Sequence, residues 1–184
     1  MTADAASASD RSAQERQCGG CVVCCKILEI DQPDLKKPTN ALCPNCTGSG
    51  CAIYVNRPAL CRTWQCFWRR YPAIPEELRP DKIGVVFWID KNEPATTPFD
   101  RMFVIGQATE SPAAFSHPLI GEAIEMFARN TGLPVGLGFG GERRLVYPDE
   151  SLQDAILNPA TTPWQSLVPA ALAWRTKYEA LIGA

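Results

Sequence analysis

The feature that most constrains this chain is the placement of its cysteines. All nine lie between residues 18 and 66 of a chain of 184 residues, beginning with the stretch CGGCVVCC. Thiolates that short turns bring together bind a metal ion in common, so we expect the cysteines to be metal ligands. The predicted ligands are Cys18, Cys21, Cys24, Cys25, Cys43, Cys46, Cys51, Cys61 and Cys66.

The spacing of the cysteines predicts more than one metal atom. It reads C-x2-C-x2-C-C, then C-x2-C-x4-C, then C-x4-C. Neighbouring side chains such as Cys24 and Cys25 tend to point in different directions. We expect such a pair to serve two sites, or one thiolate to bind metal while the other packs. One tetrahedral zinc ion takes only about four thiolates, so it does not use all nine.

Three kinds of metal site are compatible with nine cysteines. Two separate four-thiolate zinc sites leave one cysteine over, and a triangular three-zinc cluster uses six terminal and three bridging sulfurs. The third is an iron–sulfur cluster. For this cluster, Cys18, Cys21 and Cys24 repeat the C-x2-C-x2-C run of bacterial ferredoxins, and Cys43-Pro44 is the candidate remote ligand.

Disulfide bonds are the less favoured interpretation of the same cysteines. The N-terminal sequence MTADAASASDRSAQERQ lacks the apolar run of a signal peptide, so we expect a cytoplasmic protein, in which disulfides are rare. No apolar run approaches the roughly 18 residues of a membrane span. The net charge of −2 argues against nucleic acid as a partner and leaves a protein partner open.

The histidine content excludes several kinds of catalytic site. His117 is the single histidine, so sites built on two or three histidines of one chain are excluded. We expect His117 to be structural or exposed, and no catalytic residue is predicted. A ligand set of thiolates alone favours zinc, iron–sulfur or copper(I), in a closed structural or electron-transfer site.

Two motifs resemble the CxxCxxCC family of bacterial proteins, which are described as zinc- or iron-chelating domains and sometimes labelled Fe–S oxidoreductases. The motifs are CGGCVVCC and the stretch CAIYVNRPALCR at residues 51–62. The resemblance covers roughly residues 18–70 and implies metal binding without a defined reaction. Cys46 and Cys66 are additions to the minimal family pattern. We therefore expect the loss of Cys66 to be milder than the loss of Cys21 or Cys61.

Several residues near the second motif have predicted roles. Arg62 is expected either to donate hydrogen bonds to the thiolates and offset their charge, or to form a surface salt bridge. Tyr54 is expected in the core. The aromatic residues near Cys66 are expected to pack against the metal-binding loops, with a surface for single-stranded nucleic acid as the less favoured alternative. This group is Trp64, Phe67 and Trp68, with Arg69 and Arg70 beside them.

The expected fold class is α+β, in three parts. Residues 1–17 form a disordered lead, residues 18–71 form a cysteine-rich region dominated by loops, and residues 72–184 form an α+β region that packs with it as one unit. Residues 26–42 predict one brief strand and then a loop, and the prolines of residues 71–80 predict an extended connector.

Apolar periodicity predicts the elements of the α+β region. The predicted elements are strands at 83–90 and 102–108, a helix over 117–131 capped by Ser116 and ended by Gly132, a hairpin over 134–148 that turns at Gly140-Gly141, and a last helix from Thr162 and Pro163.

These observations favour a cytoplasmic protein that holds two or three zinc ions through cysteine thiolates. Its role would be that of a structural or interaction module, or of a metal-handling protein. The alternative is an iron–sulfur protein with a redox or electron-transfer role. A non-enzymatic role is favoured, and an iron–sulfur oxidoreductase is the enzyme that the same cysteines would allow.

Overall fold

The structure is a computed structural model that describes residues 16–92, 94, 101–148 and 176. Most of the expected disordered lead and the start of the last helix, at Thr162, lie outside these residues. Within them the fold is α+β, as the sequence predicts. A four-stranded sheet follows a region of short elements.

Only short elements form between residues 16 and 71, none longer than five residues in this described stretch. They are helix α1 (Val23–Ile27), strands β1 (Ile30–Gln32) and β2 (Leu35–Lys37), a 3-10 helix (Tyr54–Asn56), helix α2 (Ala59–Thr63) and helix α3 (Phe67–Arg70). The prediction of one strand followed by a loop is wrong, because β1 and β2 pair antiparallel around Pro33 and Asp34. Proline and aspartate favour such a turn.

The α+β region contains a mixed sheet in the order β3-β4-β5-β6. Helix α4 (Pro80–Ile83) precedes β3 (Val85–Asp90) and β4 (Phe103–Ala108), and helix α5 (Leu119–Thr131) precedes β5 (Val135–Phe139) and β6 (Glu142–Tyr147). Strands β4 and β5 are parallel, which requires a crossover that α5 provides. The predicted strands and the hairpin turn at Gly140-Gly141 are confirmed.

The predicted helix over residues 117–131 is confirmed, but its start is not where the sequence indicated. Ser116 ends a separate 3-10 helix (Pro112–Ser116) and does not cap α5. Instead, Nδ1 of His117 accepts a hydrogen bond from the backbone N–H of Leu119 at 3.3 Å. At the other end, Gly132 adopts φ 68°, the left-handed conformation that the predicted stop requires.

The hydrophobic core lies between α5 and the sheet. Ile120, Ala123 and Phe127 of the helix belong to one buried cluster with residues of β3, β4 and β5. The Phe127 ring lies 4.9 Å from the Phe87 ring and 4.8 Å from the Phe67 ring, centroid to centroid. Helix α3 therefore joins the core of the sheet.

The proline-rich segment of residues 71–80 is part of this core as well. Ile74 and Leu78 are buried in the cluster, and residues Glu76–Leu78 form a 3-10 helix. The prediction of an extended connector is therefore wrong. Prolines restrict the backbone, but the two apolar side chains between them gain more from burial than from solvent exposure.

The cysteine-rich region contributes little to this core. Among the described residues 16–65, the buried apolar side chains are those of Ile27, Ile30, Cys43 and Pro58. The buried members of the main cluster all lie at Phe67 or beyond. Something other than a shared hydrophobic core has to hold residues 16–65 in place.

Candidate metal centre

Eight of the nine cysteines line a single cavity of about 120 Å³. They are Cys18, Cys21, Cys24, Cys25, Cys43, Cys51, Cys61 and Cys66. The ninth, Cys46, pairs with the lining residue Cys51 in an isolated antiparallel bridge. All nine are free thiols. Segments that are far apart in sequence therefore meet around one space.

The first segment is positioned by a tight turn and a short helix. The backbone N–H of Cys21 donates to the carbonyl of Cys18 at 3.0 Å, and Gly19 between them has φ 56°. Helix α1 then carries Cys24 and Cys25. Both side chains line the cavity, and Cys24 is the main cause of the raised pKa of the Cys25 thiol.

The second segment is held against the first by backbone hydrogen bonds. The N–H of Cys43 donates to the carbonyl of Cys25 at 2.9 Å, and the N–H of Cys46 donates to the carbonyl of Cys43 at 3.0 Å. Cys46 and Cys51 face each other in an isolated antiparallel bridge. The backbone thus brings Cys43, Cys46 and Cys51 close to α1.

The third segment approaches from the side of the sheet. Cys61 lies on α2, and Cys66 precedes the first residue of α3. On α3, Nη1 of Arg69 lies 3.8 Å from the sulfur of Cys18 and donates a hydrogen bond to it. Helix α3 is therefore in contact with both the hydrophobic core and the first cysteine segment.

Burial makes several of these thiols weak acids. It raises the pKa of Cys21 to about 11, with smaller contributions from the charges of Asp81, Cys18 and Cys66. Hydrogen bonding to Cys24, followed by burial, raises the pKa of Cys25. Without metal, these thiols stay protonated at neutral pH, and a bound metal ion would displace their protons.

A buried lysine, which the cysteine pattern does not predict, lies beside the thiols. Lys37 is only 4% exposed, and its Nζ donates to the carbonyls of Lys26, Pro38 and Ala41 at 2.9, 3.0 and 2.7 Å. Burial lowers its pKa, while nearby thiols, Cys43 first among them, act in the opposite direction. In the sequence, nothing distinguishes Lys37 from the exposed Lys36 before it.

The arginines at the cavity are not the one that the sequence indicated. Arg62 is exposed and is not among the lining residues, whereas Arg57 and Arg69 are. The guanidinium of Arg57 lies 4.0 Å from the centre of the Tyr54 ring. Its Nε is buried and has no hydrogen-bond partner among the described residues. Tyr54 is itself 50% exposed, so the prediction that it lies in the core is wrong.

The aromatic residues near Cys66 are packed, as the favoured interpretation predicts. Phe67 and Trp68 are buried, and Trp68 and Trp64 line the cavity. The Trp64 ring lies 5.8 Å from the Trp88 ring, in an edge-to-face arrangement. The rings of Phe67 and Trp68 are therefore not exposed for stacking on bases, whereas Trp64 is half-buried.

The set of donor atoms fits a thiophilic metal, although the thiol groups do not point toward a common metal position. Among the described residues that line the cavity there is no histidine, aspartate or glutamate, which leaves thiols as their metal-binding groups. Within the described residues, no group of three or more His, Cys, Asp or Glu side chains has the geometry of a metal site. Metal binding therefore requires the thiols to turn toward a shared point.

Comparison with known proteins adds no relative. No family model, no curated protein and no solved structure matches this chain. The resemblance to the CxxCxxCC family therefore stays a prediction. In the part of the chain that the structure describes, no helix has the length and apolar character needed to cross a membrane.

Proposed function

We propose that this protein is a cytoplasmic zinc-binding protein that holds two or three ions through cysteine thiolates and acts as a structural or metal-handling module. The observation that carries the proposal is the single cavity lined by eight free cysteines and, in the part of the chain that the structure describes, by no imidazole or carboxylate. Zinc is borderline-soft and is bound by thiolates alone in structural sites.

The weak packing of the cysteine-rich region supports a structural role for the metal. Its longest elements have five residues, and few apolar side chains are buried before α3. A region of this kind has little hydrophobic stabilisation of its own. Structural zinc contributes about 10–16 kcal/mol of apparent binding free energy in small zinc domains, and this becomes folding free energy.

The positive charges around the cavity support the same proposal. Clustered thiolates keep an excess negative charge after zinc binds, and burial makes that charge costly. Lys37 is buried near four thiols, while Arg57 and Arg69 line the cavity. Cations in these positions offset the excess charge, and zinc-bound thiolates also accept hydrogen bonds from such donors.

Elemental analysis of protein purified without oxygen, together with a visible spectrum of the same sample, tests the proposal. We expect about two or three zinc ions per chain and no visible absorption bands. Finding iron with inorganic sulfide would contradict zinc binding and support the iron–sulfur alternative. A chain with no bound metal would contradict both zinc binding and the iron–sulfur alternative.

A matched pair of variants tests whether the cysteines are the ligands. Cys21→Ser should lower the metal content and the melting temperature. Gly20→Ala is the control, because it lies between the first two cysteines and a Cβ there meets no atom within 4 Å. Equal metal content in the two variants would remove Cys21 from the ligand set.

A further inference from the structure

Eight of the nine cysteines line one cavity, but the contacts that connect them fall into two groups. The first group, which we call the triad, consists of Cys18, Cys21 and Cys66. A backbone hydrogen bond joins Cys18 to Cys21, and the charges of Cys18 and Cys66 both act on the Cys21 thiol. Arg69, on the helix that follows Cys66, contacts the sulfur of Cys18.

A second arginine fixes the triad on α3. Arg16 donates to the carbonyls of Trp68 and Pro72 at 3.0 and 2.9 Å, and its guanidinium lies 4.7 Å from the centre of the Trp68 ring. The segment that leads into Cys18 is therefore tied to the same helix as Cys66.

The other six cysteines form the second group, which we call the sextet. Its members are Cys24, Cys25, Cys43, Cys46, Cys51 and Cys61. Backbone hydrogen bonds join Cys43 to Cys25 at 2.9 Å and Cys46 to Cys43 at 3.0 Å, and the backbone pairs Cys46 with Cys51. Burial raises the pKa of the Cys61 thiol, and the charges of Cys43, Cys25 and Cys51 raise it further.

We propose that the triad and the sextet are two separate metal centres: a one-zinc site with a coordination position open to a small thiol, and a two-zinc cluster with shared sulfurs. The inference rests on the proposed function. Two tetrahedral ions have about eight coordination positions, which four terminal and two bridging sulfurs fill. Three sulfurs fill all but one position of a single ion.

The charges near each group match these stoichiometries. Six thiolates and two Zn²⁺ ions carry a net charge of −2, and Lys37 and Arg57 are two cations whose charges act on sextet thiols. Three thiolates and one Zn²⁺ carry −1, and Arg69 is the cation in contact with the triad. These cations offset the excess negative charge that each centre would keep.

The carboxylate whose charge acts on Cys21 is already engaged. The charge of Asp81 contributes to the raised pKa of Cys21. Its two carboxylate oxygens, however, accept hydrogen bonds from Nε and Nη2 of Arg79 at 2.6 and 2.7 Å. It is therefore held away from the role of a fourth ligand. Three-ligand zinc sites keep such a position for an exogenous ligand, and a zinc ion bound by thiolates accepts a further thiolate.

Cadmium-113 NMR of the full chain, with native mass spectrometry, tests the inference. We expect three cadmium ions per chain, two signals split by mutual coupling through shared sulfurs, and one signal without such splitting. Adding 2-mercaptoethanol should move the unsplit signal and leave the coupled pair in place. An unsplit signal that does not move would overturn the open position.

Two variants assign the signals to residues. Cys66→Ser should abolish the unsplit signal and remove one ion, whereas Cys61→Ser should abolish the coupled pair and keep the unsplit signal. The grouping also changes the expectation for Cys66, whose loss should equal the loss of Cys18 or Cys21. Circular dichroism of each variant shows whether it has folded. If a variant has not folded, the cadmium-113 spectrum of the wild-type chain still shows whether there are two separate centres.

Other outcomes would overturn the inference without affecting the proposed function. Three mutually coupled signals would indicate one triangular cluster, and two uncoupled signals would indicate two four-thiolate sites. Both results keep zinc binding by cysteine thiolates. A chain that binds neither zinc nor cadmium would instead overturn the proposed function, and the two failures are therefore distinguishable.

Discussion

The cysteine-rich region and the sheet region of this protein are stabilised in different ways. In the sheet region, α5 and the strands exclude water from side chains such as Val85, Val104 and Val135, each 0% exposed. In the cysteine-rich region, five-residue helices and a small hairpin surround a cavity lined by thiols. The comparison indicates that one chain combines a hydrophobic core with a region in need of another source of stability.

The two regions meet at α3. Phe67 is buried in the core, Trp68 belongs to the core and also lines the cavity, and Arg69 reaches the sulfur of Cys18. Metal bound to the cysteine segments would therefore connect them to a helix whose position is fixed by the hydrophobic core. We expect the dependence to run in one direction, since the sheet region can form its core without the thiols.

Removing the metal should separate the two regions most strongly. A zinc chelator should raise amide exchange across residues 18–61 by several orders of magnitude, because each structural zinc contributes about 10 kcal/mol or more. Exchange in β4 should change little. Hydrogen exchange measured by mass spectrometry before and after chelation tests this. Equal loss of protection in both regions would show that they form one cooperative unit.

Truncating a core aromatic should break the sheet region. Phe127→Ala removes a ring that contacts Phe67 and Phe87, and we expect it to lower the free energy of unfolding by about 3–5 kcal/mol. Denaturant titration of the zinc-loaded protein measures this. Ile89→Ala is the control, because Ile89 is 37% exposed and its loss should matter far less. A similar loss in both variants would argue against the described core.

Removing the buried ammonium should weaken the cysteine-rich region. Lys37→Met leaves three backbone carbonyls without their donor, and we expect a loss of about 1.5–3 kcal/mol together with weaker zinc binding. Lys36→Met is the control, since Lys36 is exposed and paired with Asp31. Melting temperatures and zinc competition measure the two effects. Unchanged zinc affinity in Lys37→Met would remove the lysine from the electrostatics of the site.

The pH dependence of stability should have opposite signs with and without metal. Without metal, the pKa of Cys21 is raised from 9.0 to about 11 by burial, so the folded state binds the proton more tightly than the unfolded state. Stability from this thiol is therefore full below pH 9.0 and is lost as the pH rises to about 11. With metal bound, acid should destabilise the protein instead, because protons compete for the thiolates.

Thermal melts of both forms across this range test the pH prediction. The alkaline loss of stability should be smaller in metal-free Cys21→Ser, which lacks the titrating thiol. A metal-free protein whose melting temperature is constant between pH 9 and 11 would contradict the burial of Cys21. This effect is the smallest of the four, because Cys21 is only partly buried.

The sequence by itself determined the elements with strong local patterns. Apolar runs placed β3 and β4, helical spacing and Gly132 placed most of α5, and Gly140-Gly141 placed the turn between β5 and β6. These features follow from interactions between residues close in sequence. The cysteine spacing is a local pattern of the same kind, and eight of the nine residues that it singled out line the cavity.

Only the tertiary structure decided what lies beside the thiols and how they are grouped. Arg62 was expected either to donate to the thiolates or to form a surface salt bridge, and it is exposed, whereas Lys37 and Arg69 lie beside the thiols. Cys66 meets Cys18 from the opposite end of the cysteine-rich region, because α3 is docked on the core of the sheet. Burial and proximity of this kind depend on how distant segments pack, and spacing along the chain carries no record of it.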